Sequence, residues 1–158
     1  MEGLNSKDIA RDTIIKMIGL MDMQCNVEVA EEVDDRNNKT VVFSIYTPEN
    51  ARFLIGKNGQ NLVSLEQVLR SMFLRKMPEV NNIAVDVNDY KRSRTNYVIE
   101  LARQAVTRVR STQKPEVLLP MSAYERRVVH MELATYPDIA TESVGADPSR
   151  RIVIKPYP

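Results

Sequence analysis

Phe53-Leu54-Ile55-Gly56-Lys57-Asn58-Gly59-Gln60-Asn61-Leu62 places a cation and an amide between two glycines, with apolar residues on both flanks. Helical spacing resumes at Leu62 and continues through Leu65, Val68, Leu69, Met72 and Phe73, so the glycines join a short helix, 51–55, to a long one, about 60–76. Lacking Cβ atoms, they let backbone approach a sugar-phosphate chain closely, and the amides that open the second helix can face an anion. Lys57 adds a mobile positive charge and Asn58 a polar donor. A groove beside the loop, lined by Ile55 and Leu62, is expected to receive bases. The plain alternative is a tight turn between helices and nothing more. A bare G-x-x-G does not choose between them, and the surrounding elements must.

Upstream, residues 4–21 read as an amphipathic helix with Ile9, Thr13, Ile14, Met17, Ile18 and Met21 on one face. Cys25 to Val33 alternates, Asp34-Asp35-Arg36-Asn37-Asn38-Lys39 is a polar turn, and Thr40 to Thr47 is β-branched and aromatic, which together predict a hairpin. Downstream, Pro78 ends the long helix and Asn82 to Asn88 alternates through Ile83, Val85 and Val87. The order is α-β-β-α-α-β, complete by Asp89. This context favours a nucleic-acid loop over a plain turn.

A second unit opens with a helix over 90–112, whose apolar face carries Tyr97, Val98, Leu101, Ala102, Ala105 and Val109. At 100° per residue, Arg92, Arg103 and Arg110 fall within about 20° of one another on the opposite face, a basic stripe. After Pro115 comes a short extended piece, 116–119. Ser122 followed by Glu125 is a capping box that starts a helix running to about Thr135. Two strands, 139–144 and 150–155, are joined by Gly145-Ala146-Asp147-Pro148-Ser149. On the capped helix Arg126 and His130 are four apart and share a face. Arginine offers a fork of donors to phosphate oxygens, and a histidine can donate to phosphate or stack on a base. A structural hydrogen bond is the plain alternative for His130. Of Arg150 and Arg151 only one can share a surface with Arg126, because neighbouring strand residues point to opposite faces. Arg151 is the expected one.

Charge agrees with that division of labour. The 158 residues hold 22 basic and 21 acidic side chains, yet residues 1–50 carry a net −5 and residues 91–158 a net +5. From Lys91 to Lys114 seven basic residues face only Glu100. Polyanion binding follows the local field and counterion release rather than the total. A composition of 43% apolar and 27% charged residues excludes a wholly disordered chain. The longest apolar run, Met17 to Met21, is far below the roughly 20 residues that span a bilayer. Charges at Lys7, Asp8, Arg11, Asp12 and Lys16 leave no signal-peptide core, so no membrane insertion and a cytoplasmic location are expected. The single Cys25 excludes an internal disulfide, and the carboxylates Glu31, Glu32, Asp34 and Asp35 read as a solvated turn rather than a metal site. No P-loop, Gly-x-Ser-x-Gly or His-Glu-x-x-His occurs, so neither an enzyme nor a cofactor is expected.

The glycine loop in its α-β-β-α-α-β setting resembles a type II K-homology (KH) domain. Together with Met121-Ser122-Ala123-Tyr124-Glu125-Arg126-Arg127-Val128-Val129-His130 and the closing Arg150-Arg151-Ile152-Val153-Ile154-Lys155-Pro156, the chain resembles the bacterial Jag (SpoIIIJ-associated) family. The resemblance implies an α+β chain: a type II KH domain with a three-stranded sheet over 1–89, joined to a small α+β R-x3-H domain over 90–158. It implies RNA binding in the cytoplasm, with post-transcriptional roles around cell envelope growth, cell shape, division or sporulation. It places Ile55, Gly56, Lys57, Asn58, Gly59 and Leu62 in the KH site and Arg126, His130 and Arg151 in the R-x3-H site. Single-stranded RNA is the implied ligand, with single-stranded DNA left open, and a small single-KH-domain protein is an implied partner. Many members begin with a further N-terminal domain and linker, to which nothing here corresponds. The junction at Asp89-Tyr90 has no Gly/Ser linker, from which joint binding of one strand by both units is expected. The competing reading is a protein-interaction scaffold with incidental nucleic-acid contact.

Overall fold

A computed structural model describes residues 5–157, which divide into one compact unit ending at Lys91 and another starting at Arg92. In the first, α1 (Ser6–Gly19) starts where the Asn5 side chain accepts the Lys7 amide, with Asp8 and Lys16 complementing the helix dipole. Its buried stripe is Ala10, Ile14 and Ile18, narrower than the sequence pattern suggested, and Ile9 and Met21 are exposed. β1 (Asn26–Val33) pairs antiparallel with β2 (Lys39–Tyr46) across a turn in which Asp34 Oδ1 accepts the amides of Arg36 and Asn38. Those bonds, the Asn38 side chain's foremost, hold the Asp34 carboxyl below its usual range.

From β2 the chain passes through α2 (Ala51–Ile55), a single tight turn over Lys57–Gly59, and α3 (Gln60–Phe73) to β3 (Asn82–Val87), parallel to β2. The sheet order is β1-β2-β3. This is the α-β-β-α-α-β order of the type II KH arrangement. Alternation puts Val27, Val41, Phe43, Ile45, Ile83, Val85 and Val87 on the helix side, where they form one core with Ile14, Ile18, Leu62, Leu69 and Phe73. The outer edge of β3 is closed by α3. Glu66 accepts the Val85 amide at 3.0 Å, and Arg70 Nε donates to the Ile83 carbonyl at 2.9 Å.

The second unit contains most of α4 (Tyr90–Thr112), then β4 (Glu116–Val117), α5 (Ala123–Leu133), β5 (Ile139–Val144) and β6 (Arg151–Pro156). Its antiparallel sheet runs β4-β6-β5. Val98, Ala102, Ala105, Val106 and Val109 of α4 pack with Val129 and Leu133 of α5 and with Ile139, Ile152 and Ile154. Tyr97, expected on that face, is half exposed instead. The capping box forms: Ser122 Oγ accepts the Glu125 amide and Glu125 Oε2 accepts the Ser122 amide. Glu125 is nevertheless buried, and its other oxygen accepts Arg94 Nε at 2.6 Å, which ties α5 to α4. Among the described residues no helix is long and apolar enough to cross a membrane.

Candidate nucleic-acid interface

The loop is fixed by its glycines. Gly56 has φ 71° and Gly59 φ 82°, and Asn58 between them is also left-handed at 53°. A Cβ on Gly56 would lie 2.8 Å from the Asn61 backbone nitrogen and 2.5 Å from its side chain, which is itself held by a hydrogen bond to the Phe53 carbonyl. A Cβ on Gly59 would meet the Tyr90 ring at 2.9 Å. Backbone thus occupies the space of one missing side chain and a packed aromatic the other. What faces solvent is Lys57 and Asn58, both exposed, with no ion pair to Lys57 among the described residues. Gly56→Ala should cost about 1–2 kcal/mol of stability in chemical denaturation, from the left-handed strain and the clash with backbone. An unchanged midpoint would mean that the loop is not so constrained.

The predicted apolar groove needs correction. Leu62 is 2% exposed and belongs to the core, and Ile55 is half-buried and packs against it. The apolar surface beside the loop is instead Phe53 and Val63, each more than half exposed, with the Arg52 guanidinium 5.0 Å over the Phe53 ring. The signal was available. The inward stripe of α3 is Leu62-Leu69-Phe73, so Val63, one residue on, turns about 100° away from it.

In the second unit Arg126 is not a surface fork. It is 6% exposed, and its Nη1 donates to the Met121 carbonyl at 2.6 Å and to Asp147 Oδ1 at 2.9 Å. Arg126 therefore fastens the segment before α5 to the β5–β6 loop, a positioning role. His130, one turn on, is half-buried, with Nδ1 2.6 Å from Thr141 Oγ1. The arginine that joins this row is Arg150, not Arg151. Thr141 and Ser143 sit opposite the buried Ile154 and Ile152 and share their face of the sheet. By the same parity Arg150 lies on that face, with Nε donating to Ser143 Oγ at 2.8 Å. Arg151 pairs in register with Val144 and turns to the other face, where Nε reaches only the Ser149 carbonyl at 3.2 Å. His130, Thr141, Ser143 and Arg150 form a row of donor groups suited to phosphate oxygens. The sequence signal for Thr141 and Ser143 was two hydroxyls at alternate positions on a strand's core side.

The basic stripe is largely neutralised. Arg103 pairs with Glu132 at 2.7 Å, and Arg110 pairs with Asp138 through two bonds of 2.7 and 2.8 Å while lying 5.0 Å over the Tyr136 ring. The Arg110 hydrogen bonds hold the Asp138 carboxyl below its usual range. Arg108, nearby, is paired with Glu116. Only Arg92 of the predicted three is exposed without an ion-pair partner among the described residues, and Arg127 on α5 is a further such cation.

Comparison with known proteins agrees with this picture. Residues 96–156 match the R-x3-H domain family. The chain is 35% identical over 120 residues to the RNA-binding protein KhpB of Bacillus subtilis, covering 75% of this chain and 57% of that protein. It is 28% identical over 140 residues to KhpB of Clostridium symbiosum, covering 81% and 63%. With KhpB of Lactiplantibacillus plantarum it shares 33% over 101 residues, covering 64% and 31%. The chain thus spans less than two thirds of the length of these curated relatives.

Proposed function

From this similarity to KhpB proteins of the Jag type, and from the exposed Lys57-Asn58 pair, we propose that the chain is a non-catalytic protein that binds single-stranded RNA. The observation that carries the reading is the loop itself. Two left-handed glycines, backed by Asn61 and Tyr90, hold an exposed cation and an amide outward on a short, rigid bend. Such a bend loses little conformational entropy on binding, and its donors suit a phosphodiester chain. Phe53 and Val63 offer apolar surface against which bases can pack. The first unit acts as the KH module, residues 1–89, and the second as the R-x3-H module, residues 90–158.

In the second module His130, Thr141, Ser143 and Arg150 receive phosphate oxygens, and Arg126 positions them from behind. Arg150→Ala is expected to lower the slope of log K against log salt by about 0.7, the loss of one single-strand phosphate contact, while Arg151→Ala leaves it nearly unchanged. The reverse result would return the contact to Arg151. By the same resemblance the protein works in the bacterial cytoplasm as a post-transcriptional regulator connected with envelope growth, cell shape, division or sporulation, with a small single-KH-domain protein as partner. Crosslinking of RNA in cells tests the proposal as a whole. RNA recovered with the wild type should fall to background for the Lys57→Asp/Asn58→Asp variant. Equal recovery would favour the scaffold reading.

A further inference from the structure

The two edges of the first sheet are treated differently. On β3, Glu66 and Arg70 occupy the outward amide of Val85 and carbonyl of Ile83, and Glu66 is held by Arg70 at 3.0 Å and Lys91 at 2.7 Å. That edge cannot accept another strand without breaking four bonds. On β1, no described group hydrogen-bonds to the outer side of the backbone. A groove of about 560 Å³ runs along it, walled by the consecutive residues Val27 to Glu31 on one side and by Asn5, Lys7, Asp8 and Arg11 of the start of α1 on the other. Lys7 pairs with Glu31 and fastens the helix to the strand. An open edge strand beside a helix is the geometry that takes up an extended peptide as an added strand.

We propose that this groove binds an extended, basic protein segment by strand addition to β1. Charge decides the occupant. Residues 28–35 carry Glu28, Glu31, Glu32, Asp34 and Asp35 with no basic residue among them, and Lys7 offsets one. Nucleic acid is repelled by such an edge. A second copy pairing edge to edge would bring its own carboxylates against these, so self-association is disfavoured as well. The two faces of the sheet specify the pattern. Val27 and Val29 lie on the helix side, while Glu28, Ala30 and Glu32 lie on the open side, so an added strand should place apolar residues on the first and Lys or Arg on the second. RNA binding by the glycine loop plays no part in this docking.

The probe is a blocked octapeptide alternating lysine and valine, with an octapeptide alternating glutamate and valine as control. Titrated into the isotope-labelled chain, the lysine peptide should shift the amides of Val27 to Glu31 and slow their hydrogen exchange, and the glutamate peptide should not. Glu28→Lys/Glu32→Lys, at exposed positions that leave the core untouched, should weaken binding at least tenfold with an unchanged melting temperature. Unperturbed β1 amides, equal binding of the two peptides, or unchanged affinity in the charge-reversed variant would each overturn the proposal. A single-stranded RNA that shifted these same amides would overturn it too, by assigning the edge to nucleic acid.

Discussion

Lys57→Asp/Asn58→Asp raises the Kd for a fluorescently labelled single-stranded RNA by about 30- to 150-fold and leaves the melting temperature within a degree or two of the wild type. Charge sets the size of the effect. At an effective dielectric of about 20, a cation about 6 Å from a phosphate gains nearly 3 kcal/mol, and less where water intervenes. The double change removes that attraction and puts two anions in its place, so a net loss of about 2–3 kcal/mol is expected. Stability should not follow, because both side chains point to solvent. Asp tolerates the left-handed backbone at position 58 nearly as well as Asn does. Fluorescence anisotropy and calorimetry on the same samples check both halves. A fall in affinity matched by a fall in melting temperature would show that the loop was unfolded rather than disarmed.

The second large effect is on folding. Arg126→Ala should destabilise the second unit by about 2–3 kcal/mol, seen as an earlier unfolding transition in denaturant. Removing a buried charged partner usually costs about 3–5 kcal/mol, but here Asp147 is largely exposed and rehydrates, which lowers the figure. What remains is the Met121 carbonyl left without its donor and the lost packing of a long side chain. Arg126→Lys should recover part of this, since one ammonium can still reach one of the two acceptors. If Arg126→Ala instead leaves stability unchanged and weakens RNA binding alone, Arg126 is a direct phosphate contact.

The element order was legible in the sequence because local signals agreed with one another. Alternation at Val41-Phe43-Ile45 and Ile83-Val85-Val87 marked strands with one buried face, and both sets are fully buried. Ser122 and Glu125 announced a helix start, and the bonds of the cap are formed. What failed to show was set by distant partners. Arg103 and Arg110 looked like a free stripe because the local segment contains only Glu100. Their acids, Glu132 and Asp138, lie 29 and 28 residues further along the chain. Arg126 looked like a surface fork because nothing local indicated that the carbonyl of Met121 and the loop carboxylate of Asp147 would enclose it. The preference for Arg151 failed for a different reason. Parity within β6 was known, but which parity α5 would cover depended on Ile152 and Ile154 being the core pair. Leu62 is the same lesson on a helix: closeness in sequence to a loop says little about which way a side chain turns.

The most direct test is to watch the loop amides while RNA is added. In a nitrogen-15 NMR titration of the chain with a short single-stranded RNA, Gly56, Lys57, Asn58 and Gly59 should show the largest shifts, with Phe53 and Val63 following. If RNA binds while those four amides stay where they are, the bend does not hold the strand, and the account built on it is wrong.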